Sequence, residues 1–474
     1  MDLFEVIERQ NEFDDEALLR HVYPSDLHPQ SRKFPELKSY LYDLILKALQ
    51  NYDEGHNYNI RIKRMINNIE VLFDRFQIKE ANGQLLKAKK LALAREDFSS
   101  LLLLGDWSKK IALAQKDSIR LGAAIQVINA EMEQFKQKQI NLETYRDLYY
   151  MIMFYINNDP LRRDEQMPQL LKDVVEHPLM QDDSQAKSYR AQCLFHRISS
   201  LYAYTTLAHE DFHHHSKILI SLLDDRPLMM KEETSEYIAA LSNYALSCGL
   251  LGKYNEVAKI IPKYLEIKAK KEVDKIKIHW QYYGLNLALC IYTGEFEKGL
   301  QYLEEHLVKV KKFPSGHFEA GSLYHYYFYI YFGVGEYDLA LKYLNEWLSL
   351  PRSSKRQDLQ SIARILNLII HYEMENYTLL DFLLRSSYRY LKKRNRLYQI
   401  EKDMIALLRD AAKKAESDMK EPFQKMKKAF ELLKEEPNQK VLFQYFDFIA
   451  WLDAKIKKMP FAQVVRERHL AGAS

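Results

Sequence analysis

The sequence predicts an all-α protein whose second half consists of antiparallel helix pairs stacked into a superhelix, an α-solenoid. Glycine and proline occur only 14 and 13 times in 474 residues, which is too rare for the many turns of a β protein. Apolar residues recur at the spacing of one helix face along most of the chain. In the second half, a short segment with an aromatic residue recurs about every 41 residues.

The first region, residues 1–180, is predicted to form consecutive antiparallel helices. In residues 34–52, FPELKSYLYDLILKALQNY, apolar side chains fall at i, i+3, i+4 and i+7, which is typical of an amphipathic helix. Similar periodicity continues beyond this segment, and dipeptides containing Gly83 and Gly105 predict turns or bends. The segment NNDPLRRDEQMPQ, residues 157–169, holds two prolines among charges and predicts the clearest helix break.

The second region, residues 181–400, carries the repeat. Five segments align on one aromatic residue at intervals of 42, 42, 41 and 40 residues, namely Phe212, Tyr254, Phe296, Tyr337 and Tyr377. Apolar residues stand at the seventh position after each aromatic, and an apolar residue or tyrosine stands at the eleventh. A first helix, a turn and an aromatic that opens a second helix explain this pattern, and both later positions then face inward. Residues 401–474 are predicted to form C-terminal helices and a tail.

Two stretches resemble tetratricopeptide (TPR) units. These are LSNYALSCGLLGKYNEVAKIIPKYLEI at 241–267 and YIYFGVGEYDLALKYLNEWLSLP at 329–351, which contain the turn pattern G-x-[YF]-x-x-[AGV]. The resemblance implies antiparallel helix pairs stacked into a TPR-like right-handed superhelix. Because the usual TPR repeat is about 34 residues, the longer period means longer helices or connections, and a HEAT-like array is the alternative. The whole chain is also similar to a group of uncharacterised bacterial helical-repeat proteins, which implies no activity.

The net charge and the cysteines indicate the cellular compartment and argue against some classes of partner. The formal net charge of +4 is too small for a whole-protein field that attracts nucleic acid or an anionic membrane. Cys193, Cys248 and Cys290 stand singly, which argues against a zinc knuckle or a disulfide framework and favours a reducing compartment. The acidic N-terminus lacks the order of a signal peptide, and no apolar run reaches the ~18 residues of a membrane span. The sequence therefore predicts a cytoplasmic protein.

A partner-binding groove is predicted on the inner face of the first helices. In the TPR register, residues eight, twelve and fifteen positions before each repeat aromatic line that face. The polar and aromatic candidates are Arg197, Ser200, Tyr204, Gln281, Ser322, His325 and Tyr329. The leading functional prediction is a non-enzymatic scaffold or adaptor that binds a peptide or protein segment on this concave surface. The sequence does not indicate an oligomeric state.

A basic patch offers the alternative function. No acidic residue lies between 385 and 396, and tyrosines alternate with the cations. Basic side chains neutralise phosphates and tyrosines stack on bases, so the patch is compatible with a regulatory or nucleic-acid-associated protein. The structural interpretation is the basic end of a helix, favoured by the macrodipole. The patch comprises Arg385, Arg389, Lys392, Lys393, Arg394 and Arg396.

Histidines and tyrosines are interpreted as structural. His209 and His213 stand at i and i+4 and can share a metal ion, but no carboxylate or thiol spacing joins them, so a solvated turn is favoured and no metal or other cofactor is predicted. The tyrosine-rich residues 317–337 are interpreted as a buried first helix. Motifs such as GxSxG, the P-loop, GxGxxG and HExxH are missing from the sequence, which predicts that the protein is not an enzyme.

Overall fold

Helices make up all the regular structure of the described chain, which confirms the predicted all-α class. Contacts divide the chain into two compact units, Met1–Ile140 and Asn141–Ser474. The computed structural model describes residues 2–10, 14–22, 33–54, 57–115, 118–158, 169–226, 233–313, 323–349, 357–393, 398–413, 419–434, 436, 442–443 and 445–472.

The first unit is built from helices that pack against their neighbours in sequence. Small and branched side chains such as Ile69, Ala88 and Leu104 fill the space between the fourth, fifth and sixth helices. The seventh helix continues into the second unit and ends at Asn158, while the rest of the predicted break lies outside the described residues. The helices are α1 (Asp2–Glu8), α2 (Asp15–Val22), α3 (Phe34–Glu54), α4 (Tyr58–Asp74), α5 (Ile78–Ala94), α6 (Phe98–Ala114) and α7 (Ser118–Asn158).

The turns predicted at Gly83 and Gly105 are wrong, because α5 and α6 run through both positions. At Gly105 the missing side chain serves packing, since a Cβ atom there would lie 2.7 Å from Cγ and Sδ of Met132. The turns lie instead at Phe76 and Glu96, which adopt positive φ angles of 59° and 51°. Because neither residue type signals a left-handed conformation, the sequence pattern did not reveal these turns.

One type of turn joins helices in both units. A residue with positive φ ends the first helix, and the N–H of the following residue donates to the carbonyl five positions earlier, as Glu295 does to Cys290 at 2.9 Å. This bond satisfies a carbonyl that the end of the helix would otherwise leave unpaired. The next helix begins one residue later. Such turns centre on Phe76, Glu96, Leu207, Gly252, Gly294, Gly335 and Glu375.

The second unit continues as a series of helices, each of which contacts its neighbours in sequence. First helices of consecutive pairs also touch. The helix Thr234–Leu250 contacts Glu272–Thr293, which in turn contacts Tyr324–Val334, an arrangement compatible with a helical repeat. The helices are α8 (Gln169–Val175), α9 (Tyr189–Thr205), α10 (His209–Asp224), α11 (Thr234–Leu250), α12 (Tyr254–Ile260), α13 (Lys263–Glu266), α14 (Glu272–Thr293), α15 (Phe296–Lys309), α16 (Tyr324–Val334), α17 (Tyr337–Ser349), α18 (Gln357–Glu373), α19 (Tyr377–Lys393), α20 (Gln399–Ala411), α21 (Lys420–Leu433), α22 (Phe448–Lys457) and α23 (Phe461–Gly472).

The repeat aromatics occupy the start of the second helices, with one shift. Tyr254, Phe296, Tyr337 and Tyr377 are each the first residue of a helix. In the first pair that place belongs to His209, and Phe212 lies three residues further along α10. The sequence alignment placed this repeat three residues too late, because its turn uses Leu207 rather than glycine at the left-handed position.

Burial of the repeat aromatics differs from one pair to the next. Phe296 is fully buried, Tyr254 and Tyr337 are half-buried, and Tyr377 is 40% exposed. Phe296 is covered by the ring of Phe461 at 5.8 Å and lies against Gly333 in α16. The burial of Phe296 therefore involves a helix far away in the sequence, whereas Phe212, which is 1% exposed, packs on Tyr204 of the preceding helix.

The seventh position after each aromatic is buried in all five segments, as predicted: Leu219, Ile261, Leu303, Leu344 and Leu384. The eleventh position is buried only at Leu223. Leu307 and Leu348 are half-buried, whereas Leu265 and Tyr388 are exposed. At Leu265 the reason is local, since Pro262 interrupts the helix and Tyr264 takes the buried place instead.

Candidate functional site

Two residues of the predicted groove lie beneath the chain's own C-terminal segment. Tyr329 is 5% exposed, and its hydroxyl accepts a hydrogen bond from the backbone N–H of Asp447 at 2.9 Å. Nε2 of His325 donates to the carbonyl of Tyr445 at 2.6 Å. Burial lowers the pKa of His325 to about 4, so this imidazole is neutral at physiological pH.

Aromatic packing holds the C-terminal segment on this face. The rings of Phe446 and Phe461 stack at 5.6 Å, and both contact Tyr329 and Phe332. Helix α23 packs against α14 and α16, which supply the first helices of two predicted repeats. The C-terminal helices thus cover the part of the first-helix surface that contains Tyr329.

Other predicted groove residues are engaged within the protein. Arg197 forms an ion pair with Glu236, and its guanidinium lies 5.8 Å from the centre of the Tyr149 ring. Ser200 is buried and donates to the carbonyl of Arg197 at 2.9 Å. These contacts within the protein are enough to explain why positions 197 and 200 are polar, with no need for a binding partner.

Tyr204 and Gln281 keep accessible surface. Tyr204 is 39% exposed and packs its ring 5.3 Å from Phe212, while Gln281 is half-buried. Ser322 lies outside the described residues. Among the groove residues that the structure describes, Tyr204 is the exposed one.

A cavity of about 420 Å³ opens beside Tyr329, between first helices of the repeat region and the C-terminal helices. Its volume lies within the range of small-ligand sites, about 300–1,000 Å³. Aromatic and basic side chains dominate its walls, notably Tyr254, Tyr292, Phe443, Lys434, Arg468 and His469.

Two stacked tyrosines and a histidine form the aromatic wall of the cavity. The rings of Tyr254 and Tyr292 lie 5.5 Å apart with planes inclined by 20°, and His469 meets Tyr254 edge-on at 5.3 Å. Tyr292 is 41% exposed, and that surface belongs to the cavity lining. Flat, rigid rings of this kind bind apolar and aromatic groups at little cost in side-chain entropy.

The charged residues of the cavity are arranged as a pair and a separate cation. Nη1 of Arg468 lies 3.0 and 3.1 Å from the two carboxylate oxygens of Asp447. Lys434 adds a second positive charge to the lining. Among the described lining residues, one carboxylate stands against two cations, a balance that favours a ligand carrying negative charge.

The tyrosines of the cavity serve as neutral hydrogen-bonding groups. Burial raises the pKa of Tyr292 and of Tyr254, and burial together with the charge of Asp447 raises that of Tyr329. Because all three hydroxyls stay protonated at physiological pH, they are suited to binding rather than to acting as bases. The three hydroxyls can each donate or accept a hydrogen bond to a ligand.

The described part of the basic patch is a solvent-facing helix surface. Arg385, Arg389, Lys392 and Lys393 are exposed on α19, and Arg385 forms an ion pair with Asp381 one turn earlier. Arg394 and Arg396 lie outside the described residues. Three cations on α19 remain beside the pair, which is the arrangement expected of a basic helix end.

Apart from Tyr329, the residues that line the cavity are not predicted by the groove register, because they are distant from one another in the sequence. Tyr254 was identified only as a turn aromatic, and Arg468 and His469 lie in a region read as C-terminal helices and a tail. No spacing rule links position 254 to position 469. The one available signal is the cluster of Arg466, Arg468 and His469 on the last helix.

No family model, no curated protein and no solved structure matches the chain. Among the helices that the structure describes, none combines the length and apolar character needed to cross a bilayer.

Proposed function

We propose that the protein is a non-enzymatic scaffold or adaptor with a TPR-like superhelix, and that it binds a segment of a partner protein at the cavity beside Tyr329. The observation that carries the proposal is the cavity itself, which joins an aromatic wall to an excess of positive charge. The TPR-like description is supported by the recurring left-handed turn and by the buried seventh position in every repeat segment. Helix-repeat proteins generally bind partners along such first-helix surfaces.

The chemistry of the cavity selects an acidic segment with an apolar or aromatic side chain. A volume of about 420 Å³ holds one or two side chains of a peptide rather than a folded domain. The stacked rings of Tyr254 and Tyr292 suit the apolar group, and Lys434 suits a neighbouring carboxylate. Tyr204 and Gln281 offer further contacts for the rest of the segment in this proposal.

We place the protein in the cytoplasm as part of the same proposal. Cys193, Cys248 and Cys290 are buried and form no disulfide bond with one another, which suits a reducing compartment.

Site-specific photocrosslinking tests the cavity directly. Benzoylphenylalanine replaces Tyr292 in the cavity, or Leu265, which is 66% exposed and not part of the lining, as the matched control. We expect crosslinks to one protein segment in the native cell from position 292 and not from position 265. A synthetic peptide of that segment should bind the purified chain, and Tyr292→Ala should weaken its affinity at least tenfold with helicity unchanged.

Equal crosslinking from both positions, or undiminished affinity in Tyr292→Ala, would reject the cavity as the binding site. The same experiment with benzoylphenylalanine at Arg389 examines the basic patch. If crosslinks come from position 389 alone and disappear after nuclease treatment, the nucleic-acid alternative replaces the scaffold proposal.

A further inference from the structure

Three metal-ligating side chains meet where α10, α11 and α12 come together. Sγ of Cys248 lies 3.7 Å from Nδ1 of His213 and 3.7 Å from Oε2 of Glu256, and ligand atoms of the three residues all lie within 4.8 Å of one another. His213 and Cys248 are buried, and Glu256 is half-buried. His213 is therefore not part of a solvated turn, and its neighbours are Cys248 and Ser247 on another helix.

We propose that His213, Cys248 and Glu256 bind one divalent transition-metal ion and that zinc is the ion this donor set suits best. Imidazole nitrogen, thiolate sulfur and carboxylate oxygen are the ligands that zinc takes in proteins. The ion would tie together the first two helix pairs of the predicted repeat region. This site is separate from the cavity and does not depend on the proposed scaffold function.

The two distances from Sγ of Cys248 agree with tetrahedral coordination, and the ligand atoms of His213 and Glu256 lie within 4.8 Å of each other. With zinc–sulfur bonds of about 2.3 Å and bonds to nitrogen or oxygen of about 2.0 Å, a tetrahedral angle separates sulfur from either atom by about 3.5 Å. The observed separations of 3.7 Å require only a small movement of the side chains. The three protein ligands leave a fourth position for water.

Neighbouring hydroxyl groups support the ligands. The hydroxyl of Tyr244 donates to Oε2 of Glu256 at 2.8 Å, which orients the carboxylate. Oγ of Ser247 lies 3.2 Å from Nδ1 of His213 and 2.8 Å from the carbonyl of Tyr244. The single hydrogen of this hydroxyl can be donated to Nδ1 of His213 or to the carbonyl of Tyr244. If a metal ion occupies Nδ1, the hydroxyl still donates to the carbonyl.

The charges of the site balance on binding. Cys248 must release its thiol proton to solvent, and the resulting thiolate and the carboxylate of Glu256 together carry the two negative charges that neutralise a divalent ion. The ammonium groups of Lys217 and Lys253 act electrostatically on both His213 and Glu256. Because these two ammonium groups repel a bound metal ion, we expect the Lys253→Gln variant to bind the metal more tightly than the wild type.

Cobalt titration of the tag-free, chelator-stripped full chain tests the site. We expect one equivalent of Co²⁺ to produce a thiolate-to-cobalt charge-transfer band in the near ultraviolet and one equivalent of Zn²⁺ to remove it. The band should vanish in Cys248→Ser and persist in Cys290→Ser, the matched control for loss of a buried thiol. Zinc should raise the melting temperature of the wild type and of Cys290→Ser.

Glu256→Gln provides a variant that keeps the fold, because the amide retains the size of the side chain and can still accept from Tyr244. We expect it to weaken cobalt affinity at least tenfold. A wild-type chain without the band, a band that survives Cys248→Ser, or unchanged affinity in Glu256→Gln would each overturn the proposed site.

Discussion

Gly294 and Arg466 approach so closely that no side chain fits between them. A Cβ atom on Gly294 would lie 2.6 Å from the backbone nitrogen and 2.9 Å from Cα of Arg466, and Nη2 of Arg466 donates to the carbonyl of Gly294 at 3.1 Å. Helix α23 therefore packs backbone to backbone on the turn between α14 and α15. Gly294 also has a φ of 75°, so both conformation and space demand glycine there.

We predict that Gly294→Ala destabilises the second unit more than the same change at Gly252 or Gly335. All three have positive φ, but a Cβ atom at Gly252 or Gly335 would meet no atom of the described residues within 4 Å beyond its neighbours in the chain. The strained backbone costs about 1–2 kcal/mol at each position, and the collision with α23 adds to it only at Gly294. Denaturant unfolding measures the three values, and equal losses would show that α23 yields without cost.

Truncating the side chain at the seventh repeat position should lower the free energy of unfolding strongly. Truncating an exposed side chain at the eleventh position should change it little. Leu303 is fully buried, so Leu303→Ala should lower the free energy of unfolding by roughly 2–5 kcal/mol. Leu265 is 66% exposed, and Leu265→Ala should change it by less than about 0.5 kcal/mol. Similar losses for the two variants in urea unfolding would contradict the assigned burial.

Glu373 should link the C-terminal helices to the repeat region through its carboxylate. Nε1 of Trp451 donates to Glu373 at 2.6 Å, and Nζ of Lys455 lies 2.5 Å from its other oxygen. Glu373→Ala leaves both donors without this partner and should cost about 2–4 kcal/mol. Glu373→Gln keeps an acceptor for the indole and should cost less, and tryptophan fluorescence during unfolding compares the two variants.

Stability should fall in mild acid because buried histidines are held neutral. Nε2 of His279 lies 3.0 Å from Nδ1 of His306, and Nε2 of His306 lies 2.5 Å from the hydroxyl of Tyr327. Burial lowers the pKa of both histidines to about 4, with smaller contributions from Lys309 at His279 and from His279 at His306. The unfolded chain titrates near 6.5, so it binds more protons than the folded chain between these values. Each such histidine therefore contributes stability that is present above pH 6.5 and is lost toward pH 4, by up to about 1.4 kcal/mol per pH unit.

His306→Gln isolates this contribution because glutamine does not titrate. We expect the free energy of unfolding to depend less steeply on pH between about 4.5 and 6 in this variant than in the wild type. Leu265→Gln, a change between two non-titrating residues at a position that is 66% exposed, is the control and should keep the wild-type slope. A slope unaltered by His306→Gln would mean that this imidazole is protonated in the folded state.

Local pattern predicted the class of the fold and much of its core. Helix periodicity along residues 34–52 and at positions such as Leu303 and Leu344 depends on contacts three and four residues apart, which the sequence states directly. Turns at Gly252, Gly294 and Gly335 were found because glycine marks a left-handed residue. The equivalent turns have Leu207 and Glu375 at the left-handed position, and neither residue type indicates a positive φ angle.

The sequence by itself determined that the chain forms amphipathic helices in pairs with a recurring turn. Only the tertiary structure decided which helix faces stay open. Tyr329 and His325 are covered by residues more than 110 positions away, and His213 meets Cys248 and Glu256 from three helices. The physical reason is the sequence separation of the interactions. Helix formation depends on residues within one or two turns of each other. The packing of α23 on α14 and α16 depends on where all the intervening helices place these surfaces.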